Sequence, residues 1–575
     1  MRPPLSPLVA RTTLSWRAAA AALPLLALAA CTTTPRLGGD ALRSEQIQIL
    51  ALNDFHGNLE PPSAATYSEA GQRRQEQLGG AARLGAALRK LREGQEHSVT
   101  VAAGDLIGAS PLASAHFLDE PAIMALNRMG LELAAVGNHE FDRGTAELRR
   151  MQQGGCEVHA TREPCQLDRP FEGARFSYLA ANVLDDAGAT LFPGTSIKTF
   201  GPVRLGFIGM TLKETQTLVS PAGTRGYRFA DEAETANEAA ERLLAEGADA
   251  IVLLIHQGGN VDPAFNVAEC PGLSGDILPI IEKLSRDIRL VISGHTHNAY
   301  VCELTGADGT ERLLTSAGRY GYFITDLRVE VDPRANTVLG MNARNVPVSA
   351  ASGEQADIAA LVTRYVEAAR PLAERKIGTV SGSSQWSGGD TDSPVGNLLT
   401  DAQLAATQDA SAGGAELALL NSGGVRTRLD PAADGAVTYG QLFALQPFGN
   451  TLVVLELTGA QLKAVLEQQF TEDVPARIWQ SVLIPSGTFT YAYDRNRPAG
   501  ERVVEMRLKG QLVQAGRTYR VTVNNFLASG GDGFSVFAQA PVVAEGGVDL
   551  DALEAYVARG VAFPQTGRVR DVTQP

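Results

Sequence analysis

The sequence is poor in cysteine, tryptophan and histidine, with five, three and eight of them in 575 residues. No two cysteines stand in the CxxC spacing of a thiolate zinc site, so cysteine metal binding is the weaker reading. Basic residues are also in deficit: 50 Lys and Arg against 64 Asp and Glu leave a net charge of -14. That balance argues against the polyanionic backbone of nucleic acid as a partner and leaves a small anion to be held locally. Beyond the leader no segment reaches 18 uninterrupted apolar residues, so any membrane attachment is by lipid, on one face. There is no long internal repeat, and no low-complexity segment past residue 30.

What is present begins with a leader. Arg11 and Arg17 precede the apolar run AAAAALPLLALAA, residues 18–30, whose length suits a signal-peptide core and is short for a bilayer span. The run ends in Leu28-Ala29-Ala30-Cys31, which looks like a bacterial lipobox with Cys31 acylated; residues 1–30 are then the signal peptide and 31–45 a tether. An exported, periplasmic or cell-surface lipoprotein is expected. Four cysteines remain, and an even count in an exported chain favours disulfides. Sequence proximity pairs Cys156 with Cys165 and Cys270 with Cys302.

From 46 to about 350 apolar runs such as IQILALND, SVTVAAGD, VRLGFIGM, AIVLLIHQ and IRLVISGH alternate with helical stretches such as AARLGAALRKLREG. Strands alternating with helices predict a layered α/β domain with the sheet buried on both faces. Residues 351–375 read as an amphipathic linker helix. The texture then changes, and 376–575 predicts a mixed α+β domain of some 200 residues, giving two domains in all.

The first domain places its polar clusters at the carboxyl ends of different strands: Asp54 and His56, Asp105, Asn138 and His139, His256, then His295 and His297. In an open α/β sheet those ends converge on one crevice, so residues 240 positions apart come to share a site. Five of the eight histidines are among them. One amide, two carboxylates and several imidazoles suit divalent Zn, Mn, Fe, Co or Ni; a Mg or Ca cage would use oxygen almost alone. Seven ligands are too many for one tetrahedral ion. Two ions sharing a carboxylate account for the number, about 3.5 to 4 Å apart as in phosphoryl transfer.

The motifs DxH, GD, GNHE, a lone His and GHTH, in this order, resemble the calcineurin-like metallophosphoesterases. With NSGGVR, QPFGNT and NNFLASGGDGF in the second region, the chain resembles the bacterial 5′-nucleotidase / UDP-sugar hydrolase family over nearly all of its mature length. The resemblance implies one metal on Asp54, His56, Asp105 and His297, and another on Asp105, Asn138, His256 and His295. It further implies hydrolysis by in-line attack of a metal-bound hydroxide, with His139 stabilising the transition state or assisting the leaving group, and Asp142 orienting its imidazole. Asp142, followed by RGTAELRRM, also suits a helix N-cap. Glu140 is read as a brace for its loop, and His97, His116 and His159 as ordinary surface or loop residues.

In the second domain the same resemblance implies that Asn421 and Arg426 contact phosphate or ribose, and that Phe448 and Phe526 sandwich a base. Asp532 would hold the sugar hydroxyls and Asn450 the base edge. Phenylalanines before Gly turns are more often core, and Asp in GGDG is an ordinary turn residue, so these roles rest on the resemblance. One departure stands out: the family often carries an arginine just before GNL, whereas SSQWSGGDTDSPVGNL has none, and neither Trp386 nor Asp392 replaces a cation. The expected activity is removal of phosphate from nucleotides, with two divalent ions as cofactors. Related alternatives are 2′,3′-cyclic nucleotide phosphodiesterase, UDP-sugar or NAD pyrophosphatase, and a thiosulfohydrolase; a catalytically dead surface binding lipoprotein is the alternative from another class. Because metals and substrate grip lie on different domains, a closing rotation near the linker helix is expected.

Overall fold

A computed structural model describes residues 44–573 apart from 63, 70–71, 161, 262–269, 271, 386–391 and 471–481. The expected signal peptide, all but the end of the tether, and Trp386 lie outside the described residues. No helix among the described residues is long and apolar enough to cross a membrane.

The apolar runs of the first region are all strands, but they build two sheets where a single open one was expected. Glu45–Leu52, Ser98–Ala102, Leu133–Ala135 and Ser177–Leu179 run parallel in one six-stranded sheet. Val203–Thr211, Ala250–His256 and Ile288–Ser293 run parallel in a second, also of six strands. The two pack face to face. Ile47, Ile49 and Ala51 of the first sheet meet Val252, Leu254, Leu290 and Ile292 of the second in one buried cluster. The alternate residues Leu50 and Leu52 turn to Leu84, Leu88, Ile123 and Leu126 on helices Ala81–Arg92 and Glu120–Met129. On the far side Leu253 and Ile255 meet Ala236, Ala240 and Leu243 of helix Glu232–Ala245. The result is a four-layer stack, helix–sheet–sheet–helix, in which period-two side chains fill both faces of each sheet.

Both expected disulfides are formed, Cys156–Cys165 and Cys270–Cys302, with Cα separations of 5.6 and 5.4 Å. The linker helix spans Ala356–Ala373 and buries Ile358, Leu361, Tyr365 and Ala369 in the core of the first domain. Its last residues, Leu372 and Ala373, pack instead on a cluster of the second domain. It is therefore a fixed part of the first domain that hands the chain over at its carboxyl end.

The second domain centres on a mixed five-stranded sheet in the order Leu483–Pro485, Leu417–Asn421, Thr518–Asn524, Thr451–Thr458, Val542–Val548. Leu417, Leu419, Leu455 and Leu457 pack on Phe489, Tyr491 and Tyr493 of a four-stranded sheet. Helix Pro394–Thr407 brings Leu398, Leu399 and Ala402 to a second cluster, which Leu112 and Ala115 of the first domain join.

Candidate metal centre and substrate face

All seven candidate metal ligands lie at one place, where the carboxyl ends of the two sheets meet. The sequence distributes them over five strand ends, and each strand stops because a sharp turn follows. Five of the seven, Asp54, His56, Asp105, His295 and His297, take left-handed backbone angles, φ between 46 and 71°. Such angles are costly for residues with a Cβ and occur where surrounding structure enforces them. Gly137 shows how closely the turns approach: a Cβ there would sit 2.2 Å from Asp105 Oδ1.

Two triads emerge, Asp54–His56–His297 and Asp105–His256–His295, each with its candidate ligand atoms within 4.8 Å of one another. Asp105 joins them: its Oδ2 is 3.0 Å from His256 Nε2 and 3.7 Å from His56 Nε2. Asn138 Oδ1 stands 3.1 Å from His295 Nδ1. The other nitrogens of two rings are anchored on carbonyls, His56 Nδ1 to Gly108 O at 2.9 Å and His256 Nδ1 to Ala103 O at 2.7 Å. These anchors fix the tautomers and turn both Nε2 lone pairs inward. His256 Nε2 is buried and faces the Asp105 carboxylate. Imidazoles and carboxylates converging from five strand ends fit a divalent cation in each triad.

The two carboxylates, Asp54 and Asp105, favour positive charge at this place. Burial alone would raise the Asp105 carboxyl, yet His256 and His139 hold it well below the usual carboxylate range. Burial likewise opposes charge on His256, but Asp105 and Asp54 push it up to about 10, while burial and His256 push His295 down to about 3. Glu140 is buried, and burial with the Asp105 charge lifts it to about 8. Its carboxylate accepts from the amides of Asp105, Leu106 and Gly137 at 3.0, 2.7 and 2.6 Å, so it ties two ligand-bearing turns together.

His139 Nδ1 is 2.9 Å from Asp142 Oδ2, and its own amide donates to Asp105 Oδ1 at 2.9 Å. Burial would lower the imidazole, but Asp142 and Asp105 raise it. The N-cap expected of Asp142 is not made: helix Gly144–Gln153 begins after Arg143 and has no side-chain cap, because a 3-10 turn at His139–Phe141 intervenes.

The substrate residues named from sequence divide. Arg426 reaches the candidate metal centre, its Nη2 3.3 Å from His56 Nε2, with its Nε buried and unpartnered. Phe448 stacks on His139, centroids 6.1 Å apart at 18°. Asn421 Nδ2 donates to Asp532 Oδ2 at 2.7 Å, which leaves Asn421 Oδ1 buried and unpaired. Phe526 lies against Gly531 of its own glycine turn, a separate support from that of Phe448. Asn450 is turned to the buried carboxylate of Asp549. Asp392 is a brace, accepting from Asn397 Nδ2 and the amides of Gly567 and Arg568.

Sequence reasoning missed Arg319 and Tyr320. Arg319 Nη1 is 3.5 Å from His297 Nδ1, its guanidinium lies 4.9 Å from the Tyr320 ring, and that ring meets His56 and His297 edge-on. They too follow a strand, Glu311–Ala317, so the same strand-end rule applied to SAGRYGY would have found them. With Arg426 they line an interdomain cavity of about 1530 Å³.

A four-layer stack with paired His–carboxylate triads at its strand ends defines a calcineurin-like phosphoesterase, and that family matches residues 47–299. The 5′-nucleotidase C-terminal domain matches residues 373–539, and the chain belongs to the 5′-nucleotidase family that joins the two. Among its relatives is Endonuclease YhcR of Bacillus subtilis, 28% identical over 91% of this chain; the chain spans 41% of that relative's length. A probable 5′-nucleotidase of Treponema pallidum is 26% identical, covering 89% of this chain and 90% of the relative. A solved 5′-nucleotidase precursor from Thermus thermophilus is 26% identical with a TM-score of 0.73, covering 92% of this chain and all of that one.

Proposed function

We propose that the protein is an exported, lipid-anchored phosphohydrolase that removes phosphate from nucleotides, with domains at 46–350 and 376–575. The observation that carries this reading is the meeting of two His–carboxylate triads around Asp105 with a guanidinium, Arg426, facing them from the other domain. Asp54, His56, Asp105 and His297 would hold one divalent ion, and Asp105, Asn138, His256 and His295 the other. Bound there, the pair supplies positive charge that polarises a phosphoryl group.

The chain's own side chains do the rest. Arg426 forks onto the phosphoryl oxygens as a planar double donor. Asp142 holds the His139 ring by Nδ1 and favours its charged form, so that Nε2 offers a proton to the departing oxygen. Phe448, beside that ring, gives the base a stacking platform, and stacking tolerates any base. Phe526 and Asp532 complete the nucleoside grip from the adjoining turn. Arg319, on the first domain, adds a second cation to the cavity that Ser393, Pro394 and Val395, just before Gly396, also line.

The test is a phosphate-release screen over nucleoside mono-, di- and triphosphates, cyclic nucleotides, UDP-glucose and NAD, with metal analysis and Asn138→Ala as the blank. Release from AMP that the blank loses is the expected result. Release from cyclic nucleotides, UDP-glucose or NAD alone would move the assignment to a diesterase or pyrophosphatase. No bound metal and no turnover would overturn it in favour of a binding lipoprotein.

A further inference from the structure

The loop that carries Phe448 is held from beneath by a residue about a hundred positions further along the chain. Asp549 opens helix Asp549–Val557 and is 1% exposed. Its amide donates to Asn450 O at 2.8 Å, and its carboxylate accepts from the Asn450 side chain, from Gln446 Nε2 at 3.4 Å and from the Leu550 amide at 2.7 Å. Gln446 and Asn450 bracket Phe448, so one buried carboxylate grips the loop on both sides of the ring.

The partners of that carboxylate among the described residues are amides. Burial pushes it up to about 7, which marks the site as costly to maintain. An apolar residue of similar shape would pack at less cost, because a buried acid facing only neutral donors loses more hydration than it regains. What the carboxylate contributes is direction, accepting from two side-chain amides that would otherwise release the loop. The neighbouring loops are braced in turn: Thr451 N donates to Asn525 Oδ1 at 3.1 Å, next to Phe526, and Arg426 N to Leu445 O at 3.0 Å.

We propose that Asp549 is a positioning residue for the nucleobase, acting through Gln446 and Asn450 to fix the Phe448 ring over the substrate. This rests on the reading of Phe448 as a base platform. The residue touches no substrate, and its effect belongs to substrates that carry a base.

Asp549→Asn keeps the volume but turns an amide donor toward donors, so it removes the grip while sparing the packing. The measurement is the ratio of kcat/KM for AMP to that for p-nitrophenyl phosphate, which has no base, in the full chain with its metals. The ratio is expected to fall about tenfold, the equivalent of about 1.4 kcal/mol of stacking, mainly through KM for AMP, with a melting temperature at pH 8 no lower than that of the parent. A ratio within twofold of the parent would overturn the proposal, and so would a proportionate loss on both substrates accompanied by a lower melting temperature. Phe448→Ala separates the two layers. If it lowers the ratio and Asp549→Asn does not, the platform stands and the positioning role falls; if Phe448→Ala leaves the ratio where it was, the platform reading falls and takes the proposal with it.

Discussion

At the scale of single residues, the chain carries costs where its chemistry is, and Asp549 makes one measurable. Its carboxyl sits at about 7 in the folded protein against an ordinary 3.8. A raised acid keeps its proton in the folded state over a range where the unfolded chain has lost it. Stability is therefore full below about pH 4, declines as pH rises toward 7, and is flat beyond. Asp549→Asn carries no such term, so it should exceed the parent in stability at pH 8 by roughly 2–4 kcal/mol and match it near pH 4. Thermal melting of both proteins between pH 4 and 8 checks this, and parallel curves would refute it. The same residue marks a limit of the sequence. Asp54, Asp105 and the five site histidines were legible because polar residues at the ends of apolar strands are out of pattern. Asp549 in VDLDALEAY looks like any acid in a helix's first turn, and only the fold reveals that it is sealed against Asn450.

At the scale of elements, apolar runs identified the strands but not their partners. Ile47, Ile49 and Ala51 alternate with Leu50 and Leu52, and such a strand reads alike whether its second face meets a helix or another sheet. That is why one open sheet was expected where two are stacked, and why the crevice is wider in provenance: Asp54, Asp105 and Asn138 come from one sheet, His256, His295 and His297 from the other. The candidate metal centre is thus a junction between sheets, and it depends on their mutual packing as well as on local turns. The linker helix Ala356–Ala373 was legible by its period, but its allegiance was not. Leu361, 2% exposed, belongs to the same cluster as Leu84, Ile123 and Tyr365. Leu361→Ala should therefore cost about 2–5 kcal/mol, the range for a buried leucine truncated in a close-packed core. Urea unfolding of the full chain is the measurement. A loss below about 0.5 kcal/mol, the scale of surface substitutions, would show the helix to be a loosely applied strut.

At the scale of the whole molecule, the two domains meet at the faces that carry the candidate site residues. Arg426 stands 3.3 Å from His56 Nε2, and Phe448 lies over His139, so the proposed grip touches the candidate metal centre. On the proposed function, a nucleotide would pass between them and product would leave by the same route. Because the linker helix is packed into the first domain through Ile358 to Ala369, any swing begins at its carboxyl end, where Pro371 lacks an amide to donate within the helix and Leu372 and Ala373 pass to the other core. Helix Leu112–Ala115 of the first domain touches helix Tyr439–Leu445 of the second, and Arg162 lies 5.8 Å from the Phe443 ring across the same seam. A short bismaleimide joining cysteines placed on those two helices would hold the seam shut. Turnover of AMP should then fall at least tenfold relative to either single-cysteine protein treated alike, as expected where opening gates release. The linked protein should also keep its metals, because both triads lie within the first domain and do not depend on the swing. Undiminished turnover in the linked form would mean that substrate enters and leaves by the standing cavity beside Arg319 and Arg426, and that the domains need not part.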